Sequence, residues 1–154
     1  MIADATVLIC LSKINRLDLL KTIYKKIMIP PAVEKEVLIE DKEGYRSIYN
    51  EIKSGRIEVI HPKKIIKLGL GAGEEHAINL AIERKDSIIL DDAFAIKAAK
   101  ALNVDYIRTT TVIFTALKKN IVTKKQALSI LNQLIENGYY ISTRDYAILV
   151  SRLK

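Results

Sequence analysis

At 154 residues, with 49% hydrophobic and 28% charged, the chain has the length of one ordinary domain and a balance that excludes disorder. No apolar run approaches the roughly 18 residues that span a bilayer, and an acid at Asp4 with no basic segment before it predicts no secretory signal, so the expected location is the cytoplasm. The lone Cys10 excludes an intrachain disulfide, the isolated His61 and His76 disfavour a histidine metal site, and 25 basic against 18 acidic residues, net +7, favour a polyanionic partner.

Residues 1–4 form a short apolar segment ending in an acid, followed by a helical face over 6–14 and a second over 16–25. A strand over 26–29 closes at Pro30-Pro31, and Pro31 suits the first turn of a helix through Val33, Val37 and Leu38. Residues 40–44 are acidic and flexible, 45–53 helical, 57–60 alternate like a strand, and 61–73 read as a loop. From Gly73 the spacing of Ala77, Ile78, Ala81 and Ile82 predicts a helix, then a buried strand over 87–90, a helix over 93–102 and a strand over 104–107. Helices over 111–119, 123–136 and 142–153 complete the chain. Short apolar strands alternating with amphipathic helices predict an α/β fold: three α/β/α layers around a mainly parallel sheet, one domain over 1–154 with a helical tail from about 120.

In such sheets ligands bind beyond the carboxyl ends of the strands, and there the chain places acids. Asp4 follows the first strand and Asp91-Asp92 follow the strand ending at Leu90. Glu36 and Glu74 lie on helices in register with an apolar face, and no dedicated Lys or Arg neighbours any of the four positions. Taken singly, each has a structural explanation: Asp4 and Asp92 as helix caps, Glu74 as a partner of its helix's positive end, and Glu36 as a solvated side chain. Taken together, converging carboxylates repel one another and need a cation. Oxygen ligands without His or Cys suit Mg²⁺ or Mn²⁺, ions that assist phosphodiester hydrolysis. No Ser-His-Asp or Cys-His arrangement competes, and Gly69, Gly71 and Gly73 follow a loop and lack a complete nucleotide-binding pattern.

Four segments carry a resemblance: Asp4-Ala5-Thr6-Val7-Leu8-Ile9 with Lys13; Ile29-Pro30-x-x-Val33-x-x-Glu36-Val37; Gly73-Glu74-x-x-Ala77-Ile78-x-Leu80-Ala81; and Ile89-Leu90-Asp91-Asp92 with Ala99. In order and spacing, over residues 1 to about 117, the chain resembles the PIN-domain ribonucleases, in particular the branch of VapC-like toxins. The resemblance implies that Asp4, Glu36, Glu74 and Asp92 are an acidic quartet, with Asp4, Glu74 and Asp92 holding the metal. It makes Asp91 an accessory acid, Thr6 a hydroxyl that orients ligand or water, and Thr110 or a neighbour a hydroxyl near the metal. It further implies single-stranded RNA as substrate, a cognate antitoxin and a homodimer.

The chain departs from the pattern in three places. Leu90 stands where many PIN domains have Thr or Ser, Ile96 with Lys97 beside it where related chains place an Arg, and residues 108–111 replace a Gly-containing turn. Lys97, Lys118 and Lys119 are candidate RNA-backbone contacts, as are Lys63, Lys64, Lys67, Lys124 and Lys125. Tyr24, Tyr45, Tyr49, Tyr139 and Tyr140 are expected to pack rather than stack bases. The alternative to a nuclease is a PIN-like module that binds RNA or protein without cutting, its acids serving as caps.

Overall fold

Runs of branched apolar residues form five short strands in the computed structural model, which describes residues 1–154: β1 (Ile2–Ala3), β2 (Ile27–Ile29), β3 (Ile57–Val59), β4 (Ile88–Ile89) and β5 (Tyr106–Ile107). All pair in parallel in the order β3-β2-β1-β4-β5. Ile2 faces both Met28 and Ile88 across the central strands, and Ile89 faces Ala3 and Ile107. Parallel neighbours need long crossovers, and helices supply them. α1 (Ala5–Lys13) and α2 (Asp18–Ile23) follow β1; α3 (Pro31–Val37) and α4 (Tyr45–Lys53) follow β2; α5 (Ala72–Arg84) follows β3 and α6 (Ala93–Ala101) follows β4. α7 (Thr109–Lys118), α8 (Lys124–Glu136) and α9 (Thr143–Leu153) complete the chain.

The central strands are apolar throughout because both faces are covered: Ile2, Ala3, Ile88 and Ile89 are wholly buried, together with Leu8 from α1, Ile78 from α5 and Ala99 from α6. Burying each Ile or Leu contributes about 1.5–3 kcal/mol, enough to hold two-residue strands in register. No helix is long and apolar enough to cross a membrane.

Three helices start earlier than the sequence pattern predicts. α1 begins at Ala5 rather than Thr6, α5 at Ala72 rather than Gly73, and α7 at Thr109 rather than Thr111. A helix start needs partners for its free N–H groups, and α7 obtains one from a distant strand end, where Asp91 Oδ1 accepts from Thr109 N at 3.1 Å.

Residues 61–71 are irregular, as expected, yet they are fastened down. Glu75, Asn79 and Glu83 recur every four residues on one face of α5. Glu83 Oε2 accepts from Lys63 N at 2.7 Å, Asn79 Oδ1 from Ile66 N at 2.8 Å, and Glu75 Oε2 from Leu68 N at 2.7 Å. Asn79 Nδ2 also donates to the Ile66 carbonyl at 3.0 Å. This strap leads into Gly71 and so fixes the start of α5 beside the acids.

Candidate metal centre

From β1 the chain crosses to β2 and β3 on one side, while β4 and β5 lie on the other, so the crevice of the sheet opens between β1 and β4. Asp4 leaves β1 at this point and Asp91-Asp92 leave β4. α3 lies against α5 and contributes Glu36, while the first turn of α5 contributes Glu74.

Asp4 occupies the N-cap position of α1 but makes no capping hydrogen bond. Its side chain is buried, with the residue 3% exposed, and Oδ1 has no partner. Burial pushes its carboxyl up to about 7; the charges of Glu74 and Glu36 push the same way, and the amides of Ala5 and Thr6 at the helix start oppose them. Leaving a buried polar atom unpaired costs on the order of 1–3 kcal/mol, and more for a charge. An orphan of this kind points to a missing partner.

The other three acids are each held by backbone amides. Glu36 Oε1 accepts from Gly73 N at 3.0 Å, and glycine leaves room for this contact, since a Cβ there would lie 2.3 Å from that oxygen and push the carboxylate aside. Glu74 Oε2 accepts from Gly71 N at 3.1 Å. Partial burial raises the Glu74 carboxyl, with Asp92 and Glu36 adding to the rise. Asp92 caps α6, its Oδ1 accepting from Phe94 N and Ala95 N at 2.9 Å each. Asp4 thus stands in the fields of Glu74 and Glu36, and Glu74 in those of Asp92 and Glu36, while the ion pairs of the molecule join other residues.

No group of three or more His, Cys, Asp or Glu side chains is arranged to grip an ion as it stands. Glu36, Glu74 and Asp92 each turn one oxygen to a backbone N–H donor and keep the other free of such a bond. The donor set nevertheless fits a hard divalent cation, being all oxygen with one buried oxygen, Asp4 Oδ1, unpaired.

Asp91, expected as an accessory acid, has both oxygens engaged. Oδ1 accepts from Thr109 N and from Tyr139 Oη at 2.6 Å, and Oδ2 accepts from the Thr109 hydroxyl at 2.5 Å. The residue therefore ties the strand end to the start of α7 and to the segment after α8. Burial first, and then the charge and hydrogen bond of Asp91, hold the Tyr139 phenol far above its usual range, so it remains a donor. Of Thr110 and its neighbours, the hydroxyl that reaches an acid is that of Thr109, while Thr110 is buried beside the Tyr139 hydroxyl. Thr6 sits in the first turn of α1, half-buried.

The lysines divide. Lys97 is exposed on α6, whose cap is Asp92. Lys118 and Lys119 lie at the far end of α7, about 14 Å along its axis from Thr109, so the fold does not bring them to the crevice. Lys67 pairs with Glu75 at 3.4 Å, and Lys124 donates to the Lys154 carbonyl. Tyr140 does not pack as expected: it is 87% exposed.

Sequence reasoning does not separate Thr109 from its neighbours, and it misses the roles of Tyr139 and Phe94. The first two reach Asp91 across 18 and 48 residues, which leaves no local signal. Phe94 stands in an alanine-rich helix that reads as core, yet it is 76% exposed.

The family model described as DUF3368, PIN domain, matches residues 1–154. No curated protein matches the chain.

Proposed function

The chain belongs to the PIN-domain family, whose fold is of the nuclease type, and on that premise we propose that it is a metal-dependent endoribonuclease hydrolysing single-stranded RNA. What carries this reading is the buried, unpartnered oxygen of Asp4 at the β1–β4 crevice, with Asp4 in the fields of Glu74 and Glu36 and Glu74 in the field of Asp92.

Asp4, Glu74 and Asp92 are the residues that would hold Mg²⁺ or Mn²⁺. A divalent cation there would neutralise phosphate charge and lower the pKa of the attacking water. Glu36, preset by the Gly73 amide, orients that water and accepts its proton as the oxygen attacks phosphorus in line. The P–O bond opposite breaks, and the departing oxygen is protonated from solvent. Thr6, at the start of α1, orients substrate or water. No covalent bond to the enzyme forms at any stage.

Within this reading the protein is the toxin of a type II toxin–antitoxin pair. It works in the cytoplasm as a homodimer, with an antitoxin segment covering the acidic crevice. The support for this role is the resemblance of the four acidic segments to VapC-like toxins.

One observation favours a rival, non-cutting module: Glu36, Glu74 and Asp92 each already accept a backbone N–H. Cleavage of a labelled single-stranded RNA by wild type and Asp92→Asn, with Mn²⁺, Mg²⁺ or chelator, separates the two. Cleavage that requires both metal and Asp92 is expected. No cleavage of several RNAs, with no divalent metal bound by calorimetry, would leave the binding module.

A further inference from the structure

Two aromatic rings are the most exposed large hydrophobic side chains of the molecule, Phe94 at 76% and Tyr140 at 87%, and both are tied by short links to the Asp91-Asp92 corner. Phe94 lies in the first turn of α6, and its own N–H donates to Asp92 Oδ1 at 2.9 Å. Tyr140 follows Tyr139, whose hydroxyl bonds Asp91 Oδ1 at 2.6 Å. The corner between them also carries free cations. Lys97 lies three residues after Phe94 on α6, and side chains at that spacing are neighbours on a helix surface. Arg108 precedes the Thr109 that holds Asp91. Lys97 and Arg108 are both exposed, and neither joins an ion pair.

An exposed ring normally costs hydration free energy. Two exposed rings, one whose own amide bonds Asp92 and one whose chain neighbour bonds Asp91, with exposed unpaired cations three residues from Phe94 and next to Thr109, are the residue types that receive unpaired bases and their phosphates. We propose that Phe94 and Tyr140 are stacking platforms that grip unpaired bases of the RNA on either side of the crevice, with Lys97 and Arg108 on the adjoining phosphates. The pair selects single strands, because bases held in a duplex present no free face to a ring. This deepens the nuclease reading and rests on it for the placement of the scissile bond.

The test is equilibrium binding in chelator of a fluorescein-labelled single-stranded RNA, its abasic analogue and a duplex, together with quenching of 2-aminopurine placed in the single strand. Wild type is expected to prefer the single strand over both others and to quench 2-aminopurine. Phe94→Ala and Tyr140→Ala should each weaken single-strand binding about fivefold or more, abolish part of the quenching and leave abasic binding unchanged, while Phe94→Trp restores both signals. Equal binding and quenching by wild type and both alanine variants would overturn the proposal. So would failure of wild type to bind the single strand at low salt, which would assign the rings to a protein partner. If the rings grip RNA but no metal supports cleavage, the nuclease reading falls and the platforms stand. If cleavage needs Asp92 while the alanine variants bind as wild type does, the nuclease stands and the platforms fall.

Discussion

The β1–α1 and β4–α6 corners are built on one plan, a buried parallel strand, an aspartate in extended backbone and a helix, yet their aspartates live differently. Asp92, exposed, gives Oδ1 to two amides of α6. Asp4, buried at the same position of α1, caps nothing and keeps Oδ1 unpaired. One oxygen of Asp92 is satisfied within its own helix, whereas Asp4 keeps a buried oxygen that no group of the chain satisfies. An acid after a strand is therefore a weak indication of function until its hydrogen bonds are known.

The sharpest way to break the comparison is activity. Asp4→Asn and Asp92→Asn are each expected to lower RNA cleavage by ~10³-fold or more, since each removes a carboxylate that would hold the divalent cation, whose charge is worth several kcal/mol at the reacting phosphate. Unchanged cleavage by either variant would remove that residue from the site.

Stability should then separate the two corners. Asp4 ionises near 3.8 in the unfolded chain and near 7 in the folded one. Below about pH 4 both states hold the proton and burial carries no ionic penalty. As pH rises toward 7 the unfolded state releases its proton first, so folding loses stability, to a ceiling of about 4 kcal/mol above pH 7. In chelator the Tm of Asp4→Asn should therefore gain on that of wild type between pH 4 and 7, and Mn²⁺ should raise the Tm of wild type but not of the variant. A constant gap across that range would refute the burial argument.

At Asp92 the expected change in stability is smaller, and opposite in sign only for the alanine variant. Asn caps nearly as well as Asp, so Asp92→Asn should be neutral in chemical denaturation and Asp92→Ala should lose about 1 kcal/mol.

The mildest change in stability comes from Gly73→Ala. The added methyl displaces the Glu36 carboxylate, while alanine favours the helix interior by up to about 1 kcal/mol. Lower cleavage with unchanged or slightly higher stability is expected; retained cleavage would show that the Glu36–Gly73 contact does not matter.

The strands and most helices were legible because burial imposes a period that neighbouring residues reveal, as in Ile88-Ile89-Leu90 or Ala77-Ile78-Ala81. The acids were legible for the same reason: Asp4 and Asp91-Asp92 interrupt apolar runs where strands must end. What each acid does was not, because it depends on atoms brought from far along the chain. Nothing near Asp91 distinguishes it from Asp92, and only Tyr139 and Thr109 reveal that it is tied internally. The start of α7 was misplaced for the same reason. Phe94 escaped because an aromatic among alanines suggests the core, although Ala95, Ile96 and Ala99 hold the buried face of that helix.

The strap over residues 63–68 has a consequence for how the molecule opens. Its amides at Lys63, Ile66 and Leu68 belong to neither helix nor strand, but each is tethered to α5. Solvent deuterium should therefore enter them only when α5 itself comes loose, so this stretch behaves as part of that helix's cooperative unit and not as an independent loop. Proteases would then nick the acidic segment at residues 40–44, which is exposed through residue 43, well before they cut a strap of similar outward irregularity.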